Sequence, residues 1–201
     1  VKNAGARGRN KTDKIDAQFI ADYVYTMREK LEASTPESPV IKKLRVLRNE
    51  RRLAVNARTA FANQSKCLDD THAAKRASKI ISELNKQIAA VEAQMLDVIS
   101  SDESIKSNYE LLLTIKGVGM INALAAIIAT GNFTRFQTAR QYAKFCCVAP
   151  LSCRSGTSVR NGDHVSKAGH NDIKATLTEA ARSAIQHDAQ LKQYYERKRA
   201  Q

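Results

Sequence analysis

Residues 109–131 read YELLLTIKGVGMINALAAIIATG, two apolar pieces at helical spacing on either side of Lys116-Gly117-Val118-Gly119. The pattern predicts two helices joined through a glycine turn, a helix-hairpin-helix-like element, because glycine lets backbones approach closely. Glycines at this place would also leave amide N–H groups open at the start of the second helix, where a phosphate can be held, with Lys116 adding charge. A tight turn that joins two helices without a ligand explains the same residues, since a GxG alone is a weak signal.

The flanks extend a helical pattern in both directions. Residues 10–24, NKTDKIDAQFIADYV, open a first helix that reaches about residue 32, with Asn10 or Thr12 as N-cap. EASTPESPV, residues 32–40, holds two of the three prolines and reads as a linker. From Val40 to about Leu68 a thin apolar stripe of Leu44, Leu47, Ala54, Phe61 and Leu68 runs among arginines. After a break near DDTH, the residues Ile81, Leu84, Ile88, Val91, Met95 and Val98 repeat at alternating spacings of three and four. These two helices predict an antiparallel hairpin or a coiled coil suited to self-association; a buried stripe in an ordinary bundle would look the same. The run SDESIKSN, residues 101–108, ends the pair.

Downstream, FTRFQTARQYAKFCCVAP reads as one more helix, started near Thr134 or Thr138 and stopped by Pro150. Residues 151–174 then break every period and read as a long loop, with glycines at 156, 162 and 169 and with Arg154, Arg160, Lys167 and Lys174 between them. A single last helix with a basic tail, whose cations suit the helix dipole, is expected from residue 172 to the end. The fold expected is therefore mainly α.

The 201 residues carry a net charge of +13 with 43% hydrophobic residues, a balance that allows a real core and fits a nucleic-acid partner. Residues 106–201 hold 14 Lys and Arg against 6 Asp and Glu, a surplus of +8, against +5 for the rest, so phosphate contact is expected mostly in the last half. No apolar run spans a bilayer and no signal peptide opens the chain, which predicts a soluble intracellular protein. Because the sequence begins on Val1, within the polar VKNAGARGRN, an upstream portion is expected to be missing. Of the four cysteines, Cys67, Cys146, Cys147 and Cys153, none forms a CxxC pair, and buried free thiols are expected. Cys147, Cys153, His164 and His170 can be written as a zinc set, but their gaps match no familiar finger.

Two further places carry candidate chemistry. At about 100° per residue, Asp13 and Asp16 fall on the arc of Ile15, Phe19, Ile20, Val24 and Met27, whereas Asp22 lies on the polar side. Two carboxylates on one helix face suit a hard cation such as Mg²⁺, although acids in a first turn also merely suit the helix dipole. Ser155, between Arg154 and Gly156 in a basic loop, could attack a phosphodiester while arginines neutralise the developing charge, with Ser152 and Ser158 as competitors. A serine in a turn is also just a turn residue.

Taken together, these segments resemble the Piv/MooV-type transposases of the bacterial insertion-sequence 110 family. That family's KTDxxDAxxLA stands here as KTDKIDAQFIA, and its IPGVGxxxAxxLLAxxGdxxRF as IKGVGMINALAAIIATGNFTRF. Its later SG and GxIsKxGNxxLR correspond to Ser155-Gly156 and GDHVSKAGHNDIK. The resemblance implies a RuvC-like, RNase H-fold domain of which residues 1–35 are the end, a helical hairpin or coiled coil over 36–105, and a transposase domain over 106–201. It implies DNA strand breakage and rejoining with Ser155 as nucleophile, and Mg²⁺ on Asp13 and Asp16 with the first two acids of the quartet upstream of Val1. Contacts from Lys116, Gly117, Gly119, Arg154, Arg160 and Lys167 to nucleic acid would follow, as would a bridge RNA, a homodimer or homotetramer, and a place in the bacterial cytoplasm at the nucleoid. Three departures stand out: Lys116 replaces the usual proline, Cys147 a common glycine, and His170 an asparagine. With half a ligand set the fragment alone is expected to be inactive. The alternative is a catalytically dead DNA- or RNA-binding helical remnant.

Overall fold

Thr12 starts the first helix, α1 (Asp13–Met27), its hydroxyl oxygen accepting from the Ile15 amide at 3.3 Å. The computed structural model describes residues 12–31, 36–67, 69–155, 159–165 and 171–200, with the side chains of 151–164 left out of the description. Packing divides the chain into two compact units, Val1–Pro36 and Glu37–Gln201. In the first, α1 has no buried residue; Ile20 is 52% and Val24 48% exposed.

The second unit begins with α2 (Pro39–Ser65), whose proline sits in the first turn, where its missing N–H breaks no helical bond. Asp70 caps α3 (Thr71–Ser100) by accepting from the His72 amide at 2.8 Å. Arg51 donates to Glu92 at 2.6 Å and Arg58 to Asn85 at 3.2 Å, so the partner on α3 recedes as α2 advances. The two helices therefore form an antiparallel hairpin. The sequence stripe is its seam: Leu44 and Leu47 meet Val91, Met95 and Val98, and Ile41 and Ile99 join them.

Asp102 caps α4 (Glu103–Leu113), and Gly119 precedes α5 (Met120–Thr130). Ile105 and Tyr109 of α4 and Ala123, Leu124, Ile127 and Ile128 of α5 complete the same core. Every residue of α5 from Ala123 to Thr130 is buried, as its nearly unbroken apolar run requires. A smaller cluster of Ala129, Cys146 and Ile173 lies between α5, α6 (Ala139–Phe145) and α7 (Asn171–His187).

Three expectations need correction. The helix expected over residues 133–150 is confined to α6, because a turn occupies 131–134 and Thr138 with Gln141 forms a capping box that sets the start. The stretch expected as a loop is in large part an antiparallel pair, β1 (Pro150–Ser155) and β2 (Val159–Val165), with a register shift between Leu151 and Cys153. Glycines, arginines and this irregularity erase the alternation that would announce strands. The last helix is two: Asp188 breaks it by accepting from the Gln190 and Leu191 amides at 2.9 and 3.0 Å, starting α8 (Ala189–Arg199).

α6 ends in a left-handed residue, with the Val148 amide bonded to the Ala143 carbonyl at 3.1 Å and the Cys147 amide to that of Lys144 at 3.0 Å. The left-handed position is Cys147, at φ +53. A glycine belongs there on physical grounds, since a side chain at such φ costs about 1–2 kcal/mol. Cys147→Gly is therefore expected to raise the thermal midpoint by about 2–4 °C in a denaturation scan; a fall would show that the thiol's packing outweighs the strain.

Candidate functional site

The Lys116–Gly119 turn is built for contact with α7. Gly117 has φ +90, and a Cβ added there would lie 2.5 Å from the Ala180 carbonyl oxygen and 2.6 Å from the Ala184 amide nitrogen. Asn122 donates to the Gly117 carbonyl at 3.3 Å, fixing the turn from the other side. Gly117 thus serves helix packing. Gly119 differs: it is exposed, has ordinary φ, and a Cβ there would meet nothing within 4 Å. Its lack of a side-chain cap leaves the first turn of α5 open on that side.

Lys116 lies 3.7 Å from Asp188, with 62% of its side chain exposed. At such exposure an ion pair contributes little, and the ammonium can exchange to a phosphate. Asp188 itself is held below the ordinary carboxylate range, first by the Leu191 amide and further by the Gln190 amide and Lys116.

Ser155 is the last residue of β1, paired in register with Val159; residues 156–158 lie outside the described set. Next to it, Arg154 and Arg160 are register partners. Like charges at partnered positions destabilise an antiparallel pair unless an anion offsets them. Lys167 and His170 fall outside the described residues, as do the side chains of Ser152, Cys153 and His164. Cys67 is exposed and free, Cys147 half-buried and free, and Cys146 fully buried. Burial pushes the Cys146 thiol and the neighbouring Tyr142 phenol up, so both stay protonated at neutral pH and neither is a ready nucleophile.

In the first unit Asp13 is exposed and Asp16 half-buried, both in the first turn of α1. Their oxygen donors suit a hard divalent cation, but among the described residues no three His, Cys, Asp or Glu side chains are grouped to hold one. Two carboxylates are part of a donor set, not the whole.

Two features had little signal in the sequence. Arg48 of α2, 13% exposed, donates to Asp172 in the first turn of α7 at 3.2 Å and to Thr176 at 3.5 Å, tying the long hairpin to the helix that follows β2. Burial pushes the Asp172 carboxyl up, but the Arg48 hydrogen bond and charge outweigh it and hold the group below its ordinary value. A depressed carboxylate contributes stability above its unfolded pKa, about 3.9, that is lost as pH falls through the folded value. Asp172→Asn should therefore flatten the acid limb of the stability profile below about pH 4; an unchanged limb would contradict the pairing.

The second feature is the turn after α5, where Gly131, Asn132 and Phe133 have φ of +60, +57 and +64. Asn132 accepts from Asn108 and donates to Ser104, each at 2.9 Å, and the Phe133 amide donates to the Thr130 hydroxyl at 2.9 Å. Phe133 is nevertheless 48% exposed. Arg135 follows, its guanidinium 4.6 Å from the Phe145 ring centroid and 5.4 Å from that of Phe136.

Residues 109–196 match the family described as Transposase IS116/IS110/IS902, and residues 1–73 match a transposase family of the DEDD IS110 type. The chain therefore carries transposase domains. Their family is that of the IS110 and IS116 insertion sequences. The chain is similar to the pilin gene-inverting protein of Moraxella bovis, 26% identical over 84% of this chain and 52% of that one. It also resembles the insertion element IS110 uncharacterized 43.6 kDa protein of Streptomyces coelicolor, 28% identical over 58% of this chain and 28% of that one. A probable family 20 transposase of Pseudomonas aeruginosa is 29% identical over 51% of this chain and 29% of its own length. The chain thus spans about half or less of the length of these relatives. Among the described residues no helix is long and apolar enough to cross a membrane.

Proposed function

We propose that this chain is part of a DNA transposase or site-specific recombinase whose Ser155 attacks a DNA phosphodiester. The observation that carries the proposal is the position of Ser155 at the end of β1, beside the register-paired Arg154 and Arg160, within the segment matched by the transposase family. The Ser155 oxygen would bond to phosphorus, the bond to one deoxyribose oxygen would break, and that oxygen would take up a proton. The strand would then be held as a phosphoserine linkage while ends are exchanged. Arg154 and Arg160 would stabilise the extra charge on the phosphate.

Asp13 and Asp16 are proposed as two oxygen ligands of a divalent cation, Mg²⁺ in the simplest case, with further carboxylates completing the set. When bound, such an ion supplies charge stabilisation to a phosphoryl centre. The division of labour proposed is the end of a RuvC-like domain over 1–35, a hairpin for assembly over 36–105, and DNA work over 106–201. Assembly as a homodimer or homotetramer is supported by Val46 and Leu53, seven residues apart on α2 and 58% and 66% exposed. Lys116 and Gly119 at the α5 start, and Lys167, are proposed phosphate contacts, and a bridge RNA is the proposed guide.

The test is recombination of a plasmid carrying the element's ends, with a segment supplying the remaining carboxylates added, run beside a binding assay. Ser155→Ala should abolish recombination and leave salt-sensitive DNA binding intact, with log K falling as log salt rises. Loss of both together, or of neither, would remove Ser155 from the mechanism.

A further inference from the structure

We propose that Phe133 is a base-stacking residue, its ring receiving an unpaired nucleobase while Arg135, Arg140 and Lys144 hold the adjoining phosphates; this rests on nucleic acid being the partner, as proposed above. Three observations combine. The ring is 48% exposed although its backbone is held at φ +64, a conformation that a bulky residue rarely adopts. Strain of that kind persists where surrounding structure imposes it, and here Asn108, Ser104 and Thr130 clamp the turn through their hydrogen bonds. The turn is thus held by three hydrogen bonds, and it presents the ring to solvent.

The surroundings select the occupant. Residues 111–162 contain six Lys and Arg and no Asp or Glu. Arg140 and Lys144 are exposed, four apart on α6, and so share one helix face. Among the described residues neither they nor Arg135 forms an ion pair with a carboxylate. Arg135 holds its guanidinium carbon 4.6 Å from the Phe145 ring centroid, within cation–π range, and its N–H donors make no carboxylate pair among the described residues. Glu103, beside the Ser104 that bonds to the turn, is paired with Lys106 at 3.9 Å. On the α6 side an exposed aromatic ring stands with Arg135, Arg140 and Lys144, which is the chemistry that single-stranded nucleic acid requires, bases on the ring and backbone on the cations. A protein partner would gain from the ring but would need an acidic face to match the rest.

Phe133→Gly separates stacking from a structural role, because it removes ring and strain together. In the full 201-residue chain it should melt about 2–4 °C higher than wild type. Affinity for a single-stranded oligonucleotide should fall roughly ten-fold, with duplex affinity and the salt slope unchanged. Phe133→Trp should retain single-strand affinity. Equal weakening on single strand and duplex would overturn the proposal, as would unchanged single-strand binding, with or without a change of oligomeric state in gel filtration. If the wild type binds neither probe in a salt-dependent way, the nucleic-acid partner itself fails and the stacking role with it; unchanged single-strand affinity in a glycine variant of a binding-competent chain removes the stacking role alone.

Discussion

Gly117→Ala melts about 6–12 °C below the wild type, a loss of roughly 3 kcal/mol. Two penalties add. The residue must keep φ +90, which a Cβ disfavours, and the new methyl would overlap the α7 backbone at the Ala180 oxygen and the Ala184 nitrogen, 2.5 and 2.6 Å away. Side chains can rotate out of a clash, but backbone atoms can be relieved only by moving α7. That helix carries Ile173 into the smaller core cluster and Asp172 onto Arg48, so displacing it loosens contacts well beyond the turn. The control lies two residues away: Gly119→Ala meets nothing within 4 Å and should melt with the wild type. If the Gly119 amide approaches a phosphate as proposed, the same substitution weakens DNA binding without changing stability, so the two glycines divide packing from binding. A Gly117→Ala chain that melts like the wild type would contradict the close approach of the turn to α7.

If Ser155 is the nucleophile as proposed, Ser155→Ala should lower strand cleavage and rejoining by at least about 10³-fold, to the background of the assay, because an alanine has no oxygen to bond to phosphorus. Binding survives, since Arg154, Arg160 and the rest of the basic surface are untouched. Ser152→Ala retains activity, as Ser152 stands inside β1 and not at its end. Ser158→Ala, at a position outside the described residues, is run beside it and is expected to retain activity under the proposed mechanism. The comparison among the three serines matters because all lie within seven residues of one another and sequence spacing does not choose between them. Activity lost in Ser152→Ala instead would move the nucleophile to the register shift between Leu151 and Cys153.

The helical core was legible because its signals are local. Stripes at three-and-four spacing placed Leu44, Leu47, Ile88, Val91, Met95 and Val98 on facing sides, and each of these is buried. The glycine turn was legible as a turn, but the job of Gly117 was not, for it depends on Ala180 and Ala184, more than sixty residues away. Arg48 likewise finds Asp172 at a separation of 124 residues, a contact that no periodicity encodes. The β1–β2 pair was missed because strands this short, with a register shift and with arginine at partnered positions, show no clean alternation. The break at Asp188 did have a signal, an N-cap aspartate inside an apparently continuous helix, which its basic tail obscured. The helix that carries Asp13 and Asp16 in its first turn was legible from its N-cap and periodicity, yet among the described residues no side chain of α1 is buried.

The most direct measurement is to trap and map the covalent intermediate. The chain would be incubated with element-end DNA, the element's flanking RNA and Mg²⁺, with and without a segment supplying the remaining carboxylates, then digested and sequenced by mass spectrometry. A DNA-linked peptide modified on Ser155, formed in the arm with that segment and absent from Ser155→Ala, is the result predicted. Salt-sensitive binding with no adduct in either arm, or an adduct on any other residue, would contradict a serine recombinase built around Ser155.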